Sequence, residues 1–475
     1  MDIVAGSDFV ASLVGADGPD YDALIYWTDQ HDRPEVHSAA RLLEDIHRTQ
    51  DTLLRLSPVT RVGLVARPHP NTLTVLLGAL LAERSVVLID PRSRPDRKRL
   101  KAWLSIGLWL DPLSGTFETS LGEDPPLDLE KSSQNRAQPA LPEKEAVVVL
   151  TSGSSGTARA VRLSVRNLAH NLQGVTERLR DLDVSLPGAP LSLVLNIGHS
   201  YGLSVALLAL RNRMPLVLHP FPQLVTTVAD QMRATRVAVF PSVPSYLGLE
   251  RELGHPLGRR TTPSLRARLF AGEGLTVGDA LAVTDALAGG IVVNMYGLTE
   301  HTARVAMGAL DSRFEQGWVG YPLDGVELKT SPATDSSEAG EVLVRSDSVS
   351  IGYIGSPMSI DADGFLHTGD LGILRDDQSL VLRGRVNEHF LYAGLSIWAG
   401  DVEADLCLVP GVADCRVTQP EEGSPLDCEI VLSESEDKSE TLERVRRSVR
   451  PRRLLGRIEV VDKIDRTASG KKRRR

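Results

Sequence analysis

Short β-branched runs alternate with stretches of helical periodicity over the first two thirds of the chain. Arg61–Val65 and Ser85–Ile89 read as strands, with Asn71–Ala82 as the helix between them. Glu145–Leu150 has the continuous apolar character of a buried strand and runs into a Gly/Ser loop. Beyond that loop Ser164 takes the N-cap position of a helix whose Leu168, Leu172, Val175 and Leu179 fall on one face. Further strands are expected at Leu191–Leu195, Pro215–Leu218, Val237–Phe240, Arg268–Phe270 and Ile291–Asn294. Strands spaced by helices are the signature of an α/β fold.

From about Val326 the pattern turns to hairpins. Val326–Thr330 and Glu341–Arg345 read as strands, a turn follows at Asp361-Ala362-Asp363-Gly364, and Leu371–Arg375 and Leu380–Arg383 flank a second turn at Asp376-Asp377-Gln378-Ser379. Gly384-Arg385 opens a small charged α/β tail. Two stretches, Gly122 to Glu143 and Glu434 to Glu440, are polar enough to be expected mobile. There is no internal repeat.

Composition changes this picture little but removes several functions. A chain of 475 residues with 42% hydrophobic and 24% charged positions is an ordinary globular protein of more than one domain. A net charge of −9 argues against a general nucleic-acid binder, whose affinity rests on neutralising phosphates. The marked basic run, Lys471-Lys472-Arg473-Arg474-Arg475, reads by itself as a solvated tail. Cys407, Cys415 and Cys428 form no C-x-x-C pair, which speaks against a zinc site or a disulfide framework and suits a reducing cytosol. The start carries no basic n-region, and the most apolar stretch, Leu73 to Ala82, is too short to span a bilayer. The expectation is a cytoplasmic protein with no membrane or nucleic-acid partner, as a monomer or homodimer.

The candidate chemistry begins at Thr151-Ser152-Gly153-Ser154-Ser155-Gly156-Thr157, directly after a strand. Glycines let backbone N–H groups turn toward an anion and the hydroxyls add donors, so the run suits phosphate; a plain turn has the same composition. The P-loop spacing G-x-x-x-x-G-K-[ST] is absent, and so is the G-x-S-x-G of a nucleophile elbow.

Seven further segments lie in order along the chain. They are Leu88-Ile89-Asp90-Pro91-Arg92, His199-Ser200-Tyr201-Gly202-Leu203, Ala271-Gly272-Glu273-Gly274, Asn294-Met295-Tyr296-Gly297-Leu298-Thr299-Glu300, Gly340-Glu341-Val342 through Gly352-Tyr353, Phe365-Leu366-His367-Thr368-Gly369-Asp370-Leu371, and Gly384-Arg385 with Arg466-Thr467-Ala468-Ser469-Gly470-Lys471. Together with the glycine loop they resemble the motifs of the adenylate-forming superfamily: acyl- and aryl-CoA synthetases, luciferases and peptide-synthetase adenylation domains. The likeness runs from about Val62 to the C-terminus and is nearest to stand-alone acyl-CoA or acyl-carrier-protein ligases.

The resemblance implies a large N-terminal domain, residues 1–384, of stacked α/β layers plus a distorted β-barrel. A small mobile α+β domain, residues 385–475, would carry the catalytic lysine. It implies ATP-dependent activation of a carboxylic acid as acyl-AMP with release of pyrophosphate, then transfer to the thiol of CoA or of a separate phosphopantetheinyl carrier protein. A non-thiol acceptor such as an amine, or a non-catalytic member of the fold, stays open. By the same resemblance Thr151 to Thr157 hold the β- and γ-phosphates, Thr299 the α-phosphate and Glu300 the Mg²⁺ ion. Gly272, Glu273, Gly274, Asn294, Tyr296 and Gly297 surround adenine, with the Tyr296 ring presenting its face; Asp370 and Arg385 take the ribose; His199 gates the acyl pocket; and Lys471 bridges carboxylate and phosphate.

The pattern is not met everywhere. The family's P-K-G is here Ala158-Arg159-Ala160, the hinge position after G-R-x is Asn387, Leu391 replaces a common lysine, and Asp465 stands before Arg466. The segment Asn196 to Gly202 lacks the aspartate that pairs with an α-amine in peptide-synthetase domains, so an aryl or aliphatic acid is expected rather than an α-amino acid.

Overall fold

The computed structural model describes residues 5–15, 20–28, 33–55, 61–93, 97–113, 117–119, 144–152, 158–184, 187–220, 224–312, 314–331, 339–392, 395–421, 424–433, 437–449 and 454–465. Two large sheets form its body. The nine-stranded sheet runs Tyr321–Pro322, Ala306–Ala309, Ile291–Tyr296, Ala267–Phe270, Val239–Ser242, Leu191–Leu193, Leu216–Leu218, Asp22–Tyr26, Glu35–Ser38, parallel in its middle and antiparallel at both ends. The seven-stranded sheet runs Gly352–Tyr353, Ala158–Ser164, Glu145–Ser152, Ser85–Ile89, Arg61–Val65, Ile106–Leu110, Phe117–Thr119.

Helices Pro70–Leu81 and Ser200–Arg211 are buried along almost their whole length, and one continuous core joins their side chains to those of both sheets. The hairpins expected from about Val326 form a four-stranded antiparallel sheet, Glu327–Thr330, Gly340–Arg345, Leu366–Leu374 and Leu380–Arg385.

The last part of the chain has its own core. Ile397, Leu406, Val417, Leu426, Ile430 and Val445 cluster between the three-stranded sheet Val412–Thr418, Leu426–Leu432, Leu455–Val460 and the helices Ala399–Cys407 and Lys438–Ser448. No helix of the described residues is long and apolar enough to cross a membrane.

Most expected strands are present within a residue or two. Val237–Phe240 is shifted to Val239–Ser242, with Pro241 inside the strand. Only Val239 of that strand pairs with Leu191 on one side, so the N–H that proline lacks has no ladder to serve there. Of the stretch Glu434 to Glu440, expected mobile, residues 434–436 lie outside the described residues, and Asp437 caps the helix Lys438–Ser448, its Oδ1 accepting from Glu440 N at 2.9 Å. Gly122 to Glu143 lies outside the described residues.

Candidate active site

The site is built around the turn that ends the strand Ile291–Tyr296. The chain crosses back on itself there so closely that a Cβ on Gly297 would lie 1.5 Å from the Ala303 carbonyl oxygen, so only glycine fits. A 3₁₀ turn at Thr299–His301 follows, and Thr302 and Ala303 both take positive φ, at 54° and 99°. Strain of this kind persists where the surroundings fix it. Here Thr302 Oγ1 donates to the Ser348 carbonyl at 2.6 Å and Ser350 N donates to the Glu300 carbonyl at 2.8 Å.

The turn presents Thr299 and Glu300 to other elements. The Thr299 hydroxyl lies 3.0 Å from that of Ser200, at the start of helix Ser200–Arg211. Glu300 Oε1 accepts from the Tyr353 hydroxyl at 2.8 Å, and the Arg159 guanidinium sits 5.3 Å from the centre of the Tyr353 ring. Arg159, standing where the family has lysine, is thus brought next to the acid expected to hold metal. Tyr353 was only part of a motif in the sequence; the structure makes it the partner of Glu300.

A second constellation joins three sequence-distant residues. The register of Leu366–Leu374 against Leu380–Arg385 sets Asp370 opposite Arg385, whose Nε lies 3.0 Å from Asp370 Oδ1. The Tyr296 hydroxyl donates to Asp370 Oδ2 at 2.6 Å. Burial and the neighbouring Asp370 charge push the Tyr296 phenol well up, and Asp370 in turn raises Arg385. Tyr296 is therefore anchored through its hydroxyl. A carboxylate has about four lone-pair sites, so Asp370 keeps acceptor capacity beyond these two contacts.

Asn294, on the same strand as Tyr296, donates from Nδ2 to the Trp318 carbonyl at 2.6 Å. Its Oδ1 is buried without a hydrogen-bond partner among the described residues, an acceptor awaiting a donor. Gly272 has φ +90° and, like Gly274, leaves open space where a Cβ would stand beyond one contact to Val243. Glu273 is committed elsewhere: it accepts from Ser245 N at 2.9 Å and Ser245 Oγ at 3.2 Å, fixing the start of helix Ser245–Glu252.

His199 precedes helix Ser200–Arg211, and its Nε2 lies 3.1 Å from Asp90 Oδ2 and 3.3 Å from Arg92 Nη2. Burial raises the Asp90 carboxyl, but the bonds from His199 and Arg92 outweigh it and hold it well below the usual carboxylate range. The early strand-turn element Leu88 to Arg92 thus carries side chains that grip the histidine segment. Neither Asp90 nor Arg92 has a role legible in the sequence, because nothing local links positions 109 residues apart.

Thr151 and Ser152 end the strand Glu145–Ser152, which pairs antiparallel with Ala158–Ser164. Gly153 to Thr157, which join these strands, lie outside the described residues, as do Arg466 to Lys471.

The residues present fit a magnesium nucleotide. The Asn294 Oδ1 suits an exocyclic amine, the open space at Gly272 and Gly274 suits a flat ring, and Asp370 suits hydroxyl donors. No group of three or more His, Cys, Asp or Glu that could hold a metal occurs among the described residues. An ion at Glu300 would therefore take its other oxygens from phosphate and water, as Mg²⁺ does.

Comparison with known proteins agrees with this chemistry. Residues 106–354 match the family described as AMP-binding enzyme. A D-alanine–D-alanyl carrier protein ligase of Streptococcus pyogenes serotype M3 is 27% identical over 444 residues, covering 84% of this chain and 80% of the relative. ATP-bound MatB from Rhodopseudomonas palustris superposes with a TM-score of 0.79 at 20% identity, over 99% of this chain and 97% of the other. The o-succinylbenzoate coenzyme A synthetase MenE of Bacillus subtilis, in complex with ATP and magnesium, gives 0.78 at 19% identity, over 98% and 97%.

Proposed function

Because the chain belongs to the AMP-binding enzyme family it is an adenylate-forming ligase, and we propose that it activates a small carboxylic acid as its acyl-AMP and passes the acyl group to the thiol of CoA or of a separate carrier protein. The observation that carries the site assignment is the convergence on one turn, Tyr296 to Glu300, of Ser200, Tyr353 and Asp370 from three other elements.

In this reading Asn294 Oδ1 accepts from the adenine amine, and Asp370 with Arg385 holds the ribose. Thr299 donates to the α-phosphate and Thr151 to Thr157 cradle the outer phosphates. Glu300, oriented by Tyr353, ligates Mg²⁺, which neutralises phosphate charge. Lys471 supplies the cation between the two approaching anions, where preorganised positive charge lowers the barrier most. His199, held by Asp90 and Arg92, lines the approach of the acid. The chain divides at residue 384, a boundary supported by the separate core that follows Arg385. The setting is the cytoplasm.

The segment Asn196 to Gly202 offers no acid to an α-amine, which favours an acid without that amine. The relatives named for D-alanine favour the opposite reading, an amino acid substrate. Pyrophosphate exchange over a panel of aliphatic, aryl and amino acids decides between them. Exchange with aliphatic or aryl acids is the expected result, and exchange confined to amino acids would replace it.

A further inference from the structure

Arg268 and Arg304 are each 1% exposed, and the fold treats them differently. Arg268 lies between the rings of Phe240 and Phe270, both 5.0 Å away, and its Nη1 and Nη2 donate to the two oxygens of Glu250 at 3.0 and 2.6 Å. Arg304 is also stacked on a ring, that of Tyr201 at 5.0 Å, and its Nη1 donates to Ser204 Oγ. Its Nε and Nη2 are buried with no partner, and no carboxylate among the described residues pairs with it. Elsewhere in this chain that same Nε–Nη2 edge grips carboxylates side-on: Arg61 on Glu145 at 2.8 and 3.0 Å, and Arg67 on Asp111 at 2.8 and 2.9 Å.

A buried cation without a counter-charge is strongly unfavourable. Burial brings the Arg304 guanidinium down only to about 10, so it stays charged at neutral pH. Its place explains what the charge is for. Tyr201 and Ser204 sit one turn apart on helix Ser200–Arg211, whose first residue meets the Thr299 hydroxyl. Arg304 follows directly on the strained turn at Thr302 and Ala303. The guanidinium therefore packs against the same helix whose start meets Thr299.

We propose that Arg304 is the counter-charge of a second carboxylate on the substrate, so that this enzyme activates one carboxyl group of a dicarboxylic acid while Nε and Nη2 hold the other. Tyr201 covers one face of the guanidinium, and the acid binds in the plane of the unpartnered Nε and Nη2. The proposal rests on the adenylation reading above and narrows it.

The test compares dicarboxylic acids with monocarboxylic acids of equal chain length in pyrophosphate exchange, for the wild type and Arg304→Met. A site built around a charged partner rejects the analogue that lacks it, so the wild type is expected to favour dicarboxylates at least about a hundredfold in kcat/KM. Arg304→Met brings the ratio close to one. It also melts no lower than wild type, since it removes an unpaired charge, whereas Arg268→Met strands Glu250 and melts lower. Equal use of both acid classes by the wild type, or a preference that survives in Arg304→Met, overturns the proposal. If no acid of any class supports exchange, the adenylation reading fails. Thermal shift with dicarboxylates alone then judges Arg304: stabilisation of the wild type but not of Arg304→Met sustains its role, and its absence ends it.

Discussion

Glu300 and Asp370 are both held by tyrosine hydroxyls, and the two bonds predict different kinetics. Glu300→Gln removes the charge expected at the metal and lowers turnover about a hundred- to a thousandfold, with a raised Mg²⁺ requirement, read from rates across a magnesium titration. Tyr353→Phe removes one hydrogen bond from that carboxylate, worth about 1 kcal/mol, and costs about fivefold in the same assay. On the proposed ribose contact, made in ground and transition states alike, Asp370→Ala is expected to raise the KM for ATP and leave kcat nearly intact. An unchanged ATP affinity would remove Asp370 from the ribose. These side chains were legible in the sequence because each lies in a short motif with its own residue type. The bond between Tyr296 and Asp370, 74 residues apart, was not, because only the pairing of separate sheets creates it. Arg304 was invisible for the opposite reason: a lone arginine between a turn and the strand Ala306–Ala309 carries no pattern.

At the level of elements, periodicity found what alternates and missed what does not. The helix after Ser164 was readable from its apolar face, and the structure adds a full capping box between Ser164 and Asn167. Ser164→Ala is expected to cost about 1 kcal/mol of stability, measurable by urea unfolding. Helix Ser200–Arg211 is apolar on every side because it lies in the core, so its period is flat and its sequence resembles a buried strand. The segments Gly6–Val14 to Ala39–Arg55 went unread, since the first strand of the nine-stranded sheet, Asp22–Tyr26, finds its parallel partner only at Leu216–Leu218. The proposed hinge at Asn387 lies in the 3₁₀ turn Val386–Glu388, just after Gly384 at φ +136°. Proline suits such a turn and would lock it. Asn387→Pro is expected to spare pyrophosphate exchange and strongly slow acyl transfer; equal loss in both half-reactions would move the hinge elsewhere.

For the whole molecule, two buried histidines tie folding to pH. His219, bonded to Ser192 and Gln231, and His301, bonded to Ser346 and the Arg304 carbonyl, are both lowered by burial to about 4. An unfolded histidine titrates near 6.5, so between these values the unfolded chain binds protons that the folded chain refuses. Their contribution to stability is complete above about pH 6.5 and is lost as pH falls toward 4. The slope is at most about 2.7 kcal/mol per pH unit for two protons. Urea midpoints at pH 7 and pH 5 measure it, and His219→Gln should reduce the change. Acyl-AMP formation requires the attack of a carboxylate on the α-phosphorus of ATP. The direct measurement uses the acid that gives the fastest pyrophosphate exchange, labelled with ¹⁸O in its carboxyl group, and hydroxylamine as acceptor. One ¹⁸O atom in the AMP formed, with loss of both exchange and label transfer in Lys471→Ala, is the predicted result. Unlabelled AMP, or ADP and phosphate in its place, would contradict the account.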